Sequence, residues 1–387
     1  MYNYRSKSEV IELESGKISK QRDMHLDLIR VVAMFFVISL HMKWGFHVST
    51  FWNAFFRSIF FTANGLFFFI SGRYAFRFKE DENNPLSSYK TFYWKKFCSL
   101  IMPLVFYSTF IIANYVYWDP EKHIFEQDPI EFIMMLFWRV FPTSTKGYIW
   151  FIYCLVGFMM TVPFISIMFN AISDKGLKLF FWMAVSFEFV SIVFFSYIIR
   201  TTFPFYGWPF LGWYFYFLCG YIMYRLEFFH KKKVLFIIAG LICLGITIVM
   251  IATHKESISG VLDDSPVYLF ACIGVYLLLE SVPVNKYVGK VLAFIADHSL
   301  AVYLIHTEMI IYVRSKMPAS TPLEWAKCVL FTAFCSLFIA VPCDLLILKP
   351  LSKRLTKAPV AAKAAVVSLM LIVYLGIPVF LILKSRI

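Results

Sequence analysis

Residues 23–44, DMHLDLIRVVAMFFVISLHMKW, run from a polar start at Asp23, His25, Asp27 and Arg30 into a strongly apolar helix that closes on His41. Arg30 and His41 lie eleven positions apart. Eleven steps of 100° return to within about 20° of the starting direction, so both side chains leave one face. At 1.5 Å per residue they stand roughly 16 Å apart along the axis, about half the thickness of a hydrocarbon core. Asp27, three positions before Arg30, is placed to hold the guanidinium by an i,i+3 pair. The stretch predicts a membrane helix with a cation near one surface and an imidazole deeper in, Met34 and Val37 lying between them on the same stripe.

Working outward, the whole chain has the composition of that helix. Its 387 residues are 60% hydrophobic, 20% aromatic and only 16% charged, with a mean hydropathy of +0.70, which excludes a soluble globular protein. Polar segments between the apolar runs are too short to fold alone, so one all-α, polytopic membrane domain is expected. The net charge of +13 is scattered over loops and tails and does not line one face, which reads as topology and not as nucleic-acid binding. Eight cysteines fall in or beside apolar runs without C-x-x-C spacing, so neither a disulfide framework nor a metal site is implied.

Residues 1–22 read as a flexible cytoplasmic tail, 23–350 as the membrane domain, and 351–387 as a linker with an extra carboxy-terminal span. No small-residue cleavage site follows the first apolar run, so it is expected to be retained as a span. Spans are drawn at about 26–43, 55–72, 97–117, 148–169, 178–199, 209–225, 234–253, 266–281, 294–313, 326–348 and 365–383, a bundle of 10–11 helices. Alternating from a cytoplasmic amino terminus puts 24 Lys and Arg inside and 12 outside, with Arg30 within the first span. The outer segment 118–147 is acidic and carries a short amphipathic helix near 129–140.

Ionisable groups inside spans cost on the order of 2.5 to 3.5 kcal/mol to insert and normally face the bundle interior. His41 is the first candidate, because an imidazole can take a proton from a hydroxyl near neutral pH and return it. The bland alternative is a neutral histidine satisfied by a neighbouring helix. His306 lies at a similar depth and can share a cavity with His41, either structurally or by positioning substrate. Glu188 can orient an imidazole, pair with a cation, or sit protonated in the core. Arg57, Asn64 and Ser71 recur at seven-residue intervals, as a polar lining or as packing contacts, while Gly65 and Gly72 permit close helix approach. Arg73, Arg77 and Lys79, with Lys95 and Lys96 across the loop, can bind phosphates or simply mark the inner side. Trp118, Trp138, Tyr148, Trp150, Trp208 and Trp213 can stack on sugar rings, although aromatic residues also collect at membrane interfaces.

Several stretches, taken together, resemble one family. LDLIRVVAMFFVISLH (Leu26 to His41) is similar to the first helix of the acyltransferase 3 family of membrane O-acyltransferases, and NGLFFFISG (Asn64 to Gly72) to its second. KKFCSLIMP (Lys95 to Pro103), IWFIYCLVGFMMTVP (Ile149 to Pro163), WYFYFLCGYIMYR (Trp213 to Arg225) and SLAVYLIH (Ser299 to His306) follow in the family's order. The resemblance implies a bundle of about ten spans that moves an acyl group, usually acetyl from cytoplasmic acetyl-CoA, to a hydroxyl of an extracytoplasmic glycan or lipid-linked sugar. It implies that Arg30 and His41 are essential and that no cofactor is permanently bound. Where many members carry R-x-x-R before the third helix, this chain has Lys96 and Ser99, which supply a point charge in place of a bidentate fork.

On this reading His41, Arg30 and Asp27 are catalytic, His41 acting as general base or as an acyl relay. Lys95, Lys96, Arg73 and Arg77 hold the acyl-CoA, and Asn64, Ser71, Trp150, Glu188 and His306 line the acceptor path. The partners are the lipid bilayer, acyl-CoA and the saccharide. The rival from another class is a transporter or flippase for a lipid-linked saccharide, which would use the same buried polar groups as a pathway.

Overall fold

Asp23 starts the first helix by accepting hydrogen bonds from the backbone N–H groups of His25 and Leu26 at 3.1 and 3.4 Å, which satisfies donors that the first turn leaves open. That helix, α1 (Met24–His41), runs 18 residues and buries Ile29, Ala33, Met34, Val37 and Ile38. The computed structural model describes residues 22–107, 150–199, 212–254 and 265–372. Every regular element among the described residues is a helix, as expected of an all-α membrane bundle.

Beside α1 lies α2 (Thr50–Ala75), and α6 (Gly212–Arg225) packs closely on α2. Between them in sequence come α3 (Pro85–Lys96), α4 (Trp150–Ala171) and α5 (Asp174–Glu188). Gly72 and Gly220 make the α2–α6 contact possible: a Cβ on Gly72 would strike the Phe217 carbonyl, and one on Gly220 would strike that of Phe69. Here the small residues read from the sequence do let two backbones meet. The short α7 (Glu227–Lys231) turns the chain into α8 (Lys233–His254), which pairs with α9 (Pro266–Glu280).

The remaining helices are α10 (Lys286–Ala296), α11 (Ser299–Lys316), α12 (Pro322–Pro342), α13 (Lys349–Lys357) and α14 (Val360–Leu371). Three π-helical turns interrupt the regular ladder, at Phe97–Ile101, Phe189–Ile199 and Cys343–Leu348. The first and third each stand just before a proline, Pro103 and Pro350, which lacks an N–H and crowds the carbonyl four residues back. The ladder there slips to i→i−5 bonds, from Met102 to Phe97 and from Lys349 to Asp344.

Six helices among the described residues are long and apolar enough to cross a membrane, and a seventh if α10 and α11 form one span bent by 64°. The span expected at 294–313 runs through that bend, and its straight part starts at Ser299. Shorter apolar helices occupy Pro266–Glu280 and Val360–Leu369. Parts of the spans drawn at 97–117, 209–225 and 365–383 lie outside the described residues, as do residues 1–21 and the helix expected near 129–140.

One end of the bundle, called here the Asp23 end, is tied by charge. Arg73, at the close of α2, donates to Asp23 (2.9 Å), the Tyr276 hydroxyl (3.0 Å) and Glu280 (3.3 Å). Glu280 also meets His230 and Lys233, so α1, α2, α7, α8 and α9 are joined there. At the opposite, His41 end the links are aromatic. Trp325 stacks on Trp44 with centroids 4.4 Å apart and donates its indole N–H to the Met42 carbonyl at 3.0 Å.

Candidate active site

The α1 stripe faces the bundle interior. Met34 and Val37 are buried, and Arg30 and His41 are each partly covered. His41 is the last residue of α1 and not a mid-helix group, yet the Met42 turn and the Trp44–Trp325 stack lie directly beyond it. His306, eight residues into α11, brings its ring to 5.2 Å from that of His41, centroid to centroid, at 43°. The shared depth read from the sequence is therefore actual contact.

One hydrogen bond fixes the tautomer of His306. Its Nδ1 lies 2.6 Å from the Tyr303 carbonyl, which can only accept, so Nδ1 carries the proton. In the neutral ring Nε2 then presents a lone pair, and that atom is buried without a hydrogen-bond partner among the described residues. Burying such a group unmatched costs about 1–3 kcal/mol, a penalty typical of sites that bind something. Tyr303 is ringed by Phe67, Phe151 and His306. Trp150 continues this aromatic wall by packing on Phe68, Phe151 and Trp213.

Asp27 does not hold Arg30. Its carboxylate takes a two-pronged bond from Arg22, Nε at 2.5 Å and Nη2 at 2.9 Å, while Arg22 also reaches Asp297 at 2.9 Å and the Ala293 carbonyl. A fork-to-carboxylate bond fixes two nitrogens at once, so Arg22 occupies both oxygens of Asp27. Arg30 is left without an ion pair among the described residues. Asp27 thus acts on packing at the Asp23 end, joining the chain before α1 to α10.

Glu188 follows the core-carboxyl reading in its burial and hydrogen bonding. It is fully buried, and its Oε1 accepts the backbone N–H of Gly212 at 2.8 Å, at the start of α6, where Gly212 has a φ of 65°. Through that bond it caps a helix start. Asn64 is buried in α2, and Ser71 and Trp150 are half-buried.

The basic residues share the Asp23 end but differ in freedom. Arg73 is engaged by Asp23 and Glu280 and lies over the Tyr224 ring, so its guanidinium serves packing. Arg77 is exposed, 5.0 Å over the Tyr74 ring. Phe78 packs on Tyr89 and Phe92 and ties this segment to α3, which carries Lys95 and Lys96. Lys95 is exposed; Lys96 sits over Phe92 and lines a cavity of about 190 Å³ with Tyr93, Phe97, Leu100, Ile101, Val156, Met159 and Met160. Burial lowers the Lys96 ammonium from its ordinary pKa.

Two groups escaped the sequence reading. His298 donates Nδ1–H to Asp344 at 2.7 Å, and the Tyr107 hydroxyl donates to the other oxygen of Asp344 at 3.0 Å, all three being buried. Asp344, an acid in an apolar run, was the available signal. Arg314, near the end of α11, is the second.

The family model of the acyltransferase 3 family, described as an acyltransferase domain, matches residues 25–341. The chain belongs to that family. It is a multi-pass membrane acyltransferase, and the matched range contains Arg30, His41 and His306. No curated protein and no solved structure matches it. Within this acyltransferase the two imidazoles meet at the His41 end, while Lys95, Lys96 and Arg77 gather at the other.

Proposed function

We propose that this acyltransferase moves an acetyl or similar short acyl group from cytoplasmic acyl-CoA to a hydroxyl of a cell-surface or lipid-linked saccharide. The observation that carries the proposal is the His41–His306 ring contact inside the bundle, with His41 on the same α1 stripe as Arg30. Arg30 and His41 stand roughly 16 Å apart, too far to touch one carbonyl, so a long donor is needed to engage both. An acyl-CoA has that length: its phosphates sit near Lys95, Lys96 and Arg77, its arm passes Arg30, and its thioester reaches His41.

His41 takes the proton of the attacking hydroxyl as the new C–O bond forms at the thioester carbonyl. The C–S bond then breaks, and the departing CoA thiolate receives that proton from the imidazolium. A hydroxyl has one proton to give, so the lone pair on His306 Nε2 is available to a second hydroxyl of the same sugar. That division favours a saccharide with neighbouring hydroxyls over a simple alcohol.

Purified protein is incubated with labelled acetyl-CoA and a saccharide acceptor. Label should move to the sugar, and His41→Ala should lower transfer by about 10²–10⁴-fold. A thioester left intact by the wild type points to the transporter reading. Wild-type transfer by His41→Ala removes the base assignment, and an acyl group trapped on His41 makes it a relay.

A further inference from the structure

Among the described residues, half-buried Arg73 is matched with Asp23 and Glu280, and half-buried Arg225 with Asp174 and the Phe169 and Ile172 carbonyls. Half-buried Arg30 has no ion pair there, yet none of its nitrogens is both sealed from solvent and unpartnered. Arg314 differs. Its Nη1 is sealed from solvent and has no hydrogen-bond partner among the described residues. Glu308, the nearest acid on the same helix, is six positions back and about 120° round the axis. Glu324 of α12 accepts the Ser320 backbone N–H at 2.9 Å. A guanidinium nitrogen held dry and unmatched costs more than a neutral group in the same state, so the position calls for an anion from outside the chain.

Its surroundings say which anion. A Cβ added to Gly45 would lie 3.4 Å from Arg314 Nη2, so the guanidinium rests against the loop that follows His41 by four residues. Along α11 it is about 12 Å from His306, further than one sugar ring reaches. The stacked Trp44 and Trp325 rings adjoin the same loop. Aromatic faces, two imidazoles and an arginine fork with an unmatched nitrogen together suit a saccharide that carries negative charge.

We infer that Arg314 binds an anionic group of the acceptor, on a unit next to the one whose hydroxyl is acylated. The group is a carboxylate of an acidic sugar or a phosphodiester of the acceptor chain. This rests on the acyltransferase reading above.

The test uses full-length wild type, R314K and R314Q, with three probes of equal length: cellotetraose, tetragalacturonate and a glycerol-phosphate tetramer. Binding is titrated without acyl-CoA, and transfer from acetyl-CoA is measured separately. Wild type should bind at least one anionic probe about tenfold more tightly than cellotetraose, and the one it prefers identifies carboxylate or phosphate. R314Q should bring that preference within about twofold of unity while leaving cellotetraose affinity unchanged. R314K, which keeps the charge and loses the fork, should fall between, and should lose at least about threefold if R314Q does not fold. Equal binding of all probes by wild type, a preference that survives in R314Q, or an undiminished preference in R314K overturns the assignment. An anion preference without transfer from acetyl-CoA leaves Arg314 in place and removes the donor reading instead.

Discussion

At the scale of single residues, His306 is the position where hydrogen bonding is most specific. Asparagine can place an amide N–H where Nδ1–H stood, so His306→Asn keeps the bond to the Tyr303 carbonyl and deletes the Nε2 lone pair together with the ring contacts to His41 and Tyr303. The variant should fold and melt within a few degrees of wild type, with the saccharide KM raised about tenfold and the acyl-CoA KM unchanged. A parallel rise in the acyl-CoA KM would show that His306 serves the donor. Arg30, His41 and their shared face were legible because both lie on one helix, where periodicity alone sets direction. Asp27 and Glu188 were not, because their partners arrive from outside the local turn, Arg22 from the chain before α1 and Gly212 from a helix 24 residues on.

At the scale of elements, the bend between α10 and α11 is held by the His298–Asp344–Tyr107 group. His298 occupies the break itself, and Asp344 lies in the π-helical turn after α12, so one carboxylate joins two irregular segments. Asp344→Ala strands a buried imidazole and a buried phenol together, which should cost about 2–3 kcal/mol. Tyr107→Phe removes one donor and leaves the His298 bond intact, so about 1 kcal/mol is expected. Thermal unfolding of the purified variants gives the comparison, and equal losses would show that the group does not act through Asp344. Most spans could be drawn from apolar runs because insertion depends on summed hydrophobicity. The 64° bend could not, since apolar residues continue on both sides of it and the cause is a carboxylate more than forty residues away.

At the scale of the whole molecule, the two ends differ in charge in a way that predicts an orientation. The Asp23 end gathers Arg22, Arg73, Arg77, Lys95, Lys96, Arg225 and Lys233, and the Trp94 indole bond to the Leu355 carbonyl brings α13 with Lys353, Arg354 and Lys357 to the same side. Among the described residues the His41 end carries fewer cations near the first and last turns, chiefly Lys43, Arg314, Lys316 and Lys327. If cationic loops are retained on the cytoplasmic side, the Asp23 end is expected in the cytoplasm, on the side of the proposed acyl-CoA donor, with the His41 end facing outward toward the proposed saccharide. Lys90 in α3 and Ser320 before α12 are both exposed, so cysteine at either position samples one end. With the wild-type chain as background, Ser320→Cys should react with a membrane-impermeant maleimide in intact cells. Lys90→Cys should react only after the cells are opened. The reverse pattern would put Lys95 and Lys96 outside and remove the proposed donor route to Arg30, whereas the expected one fits the proposal that donor and acceptor enter the bundle from opposite faces.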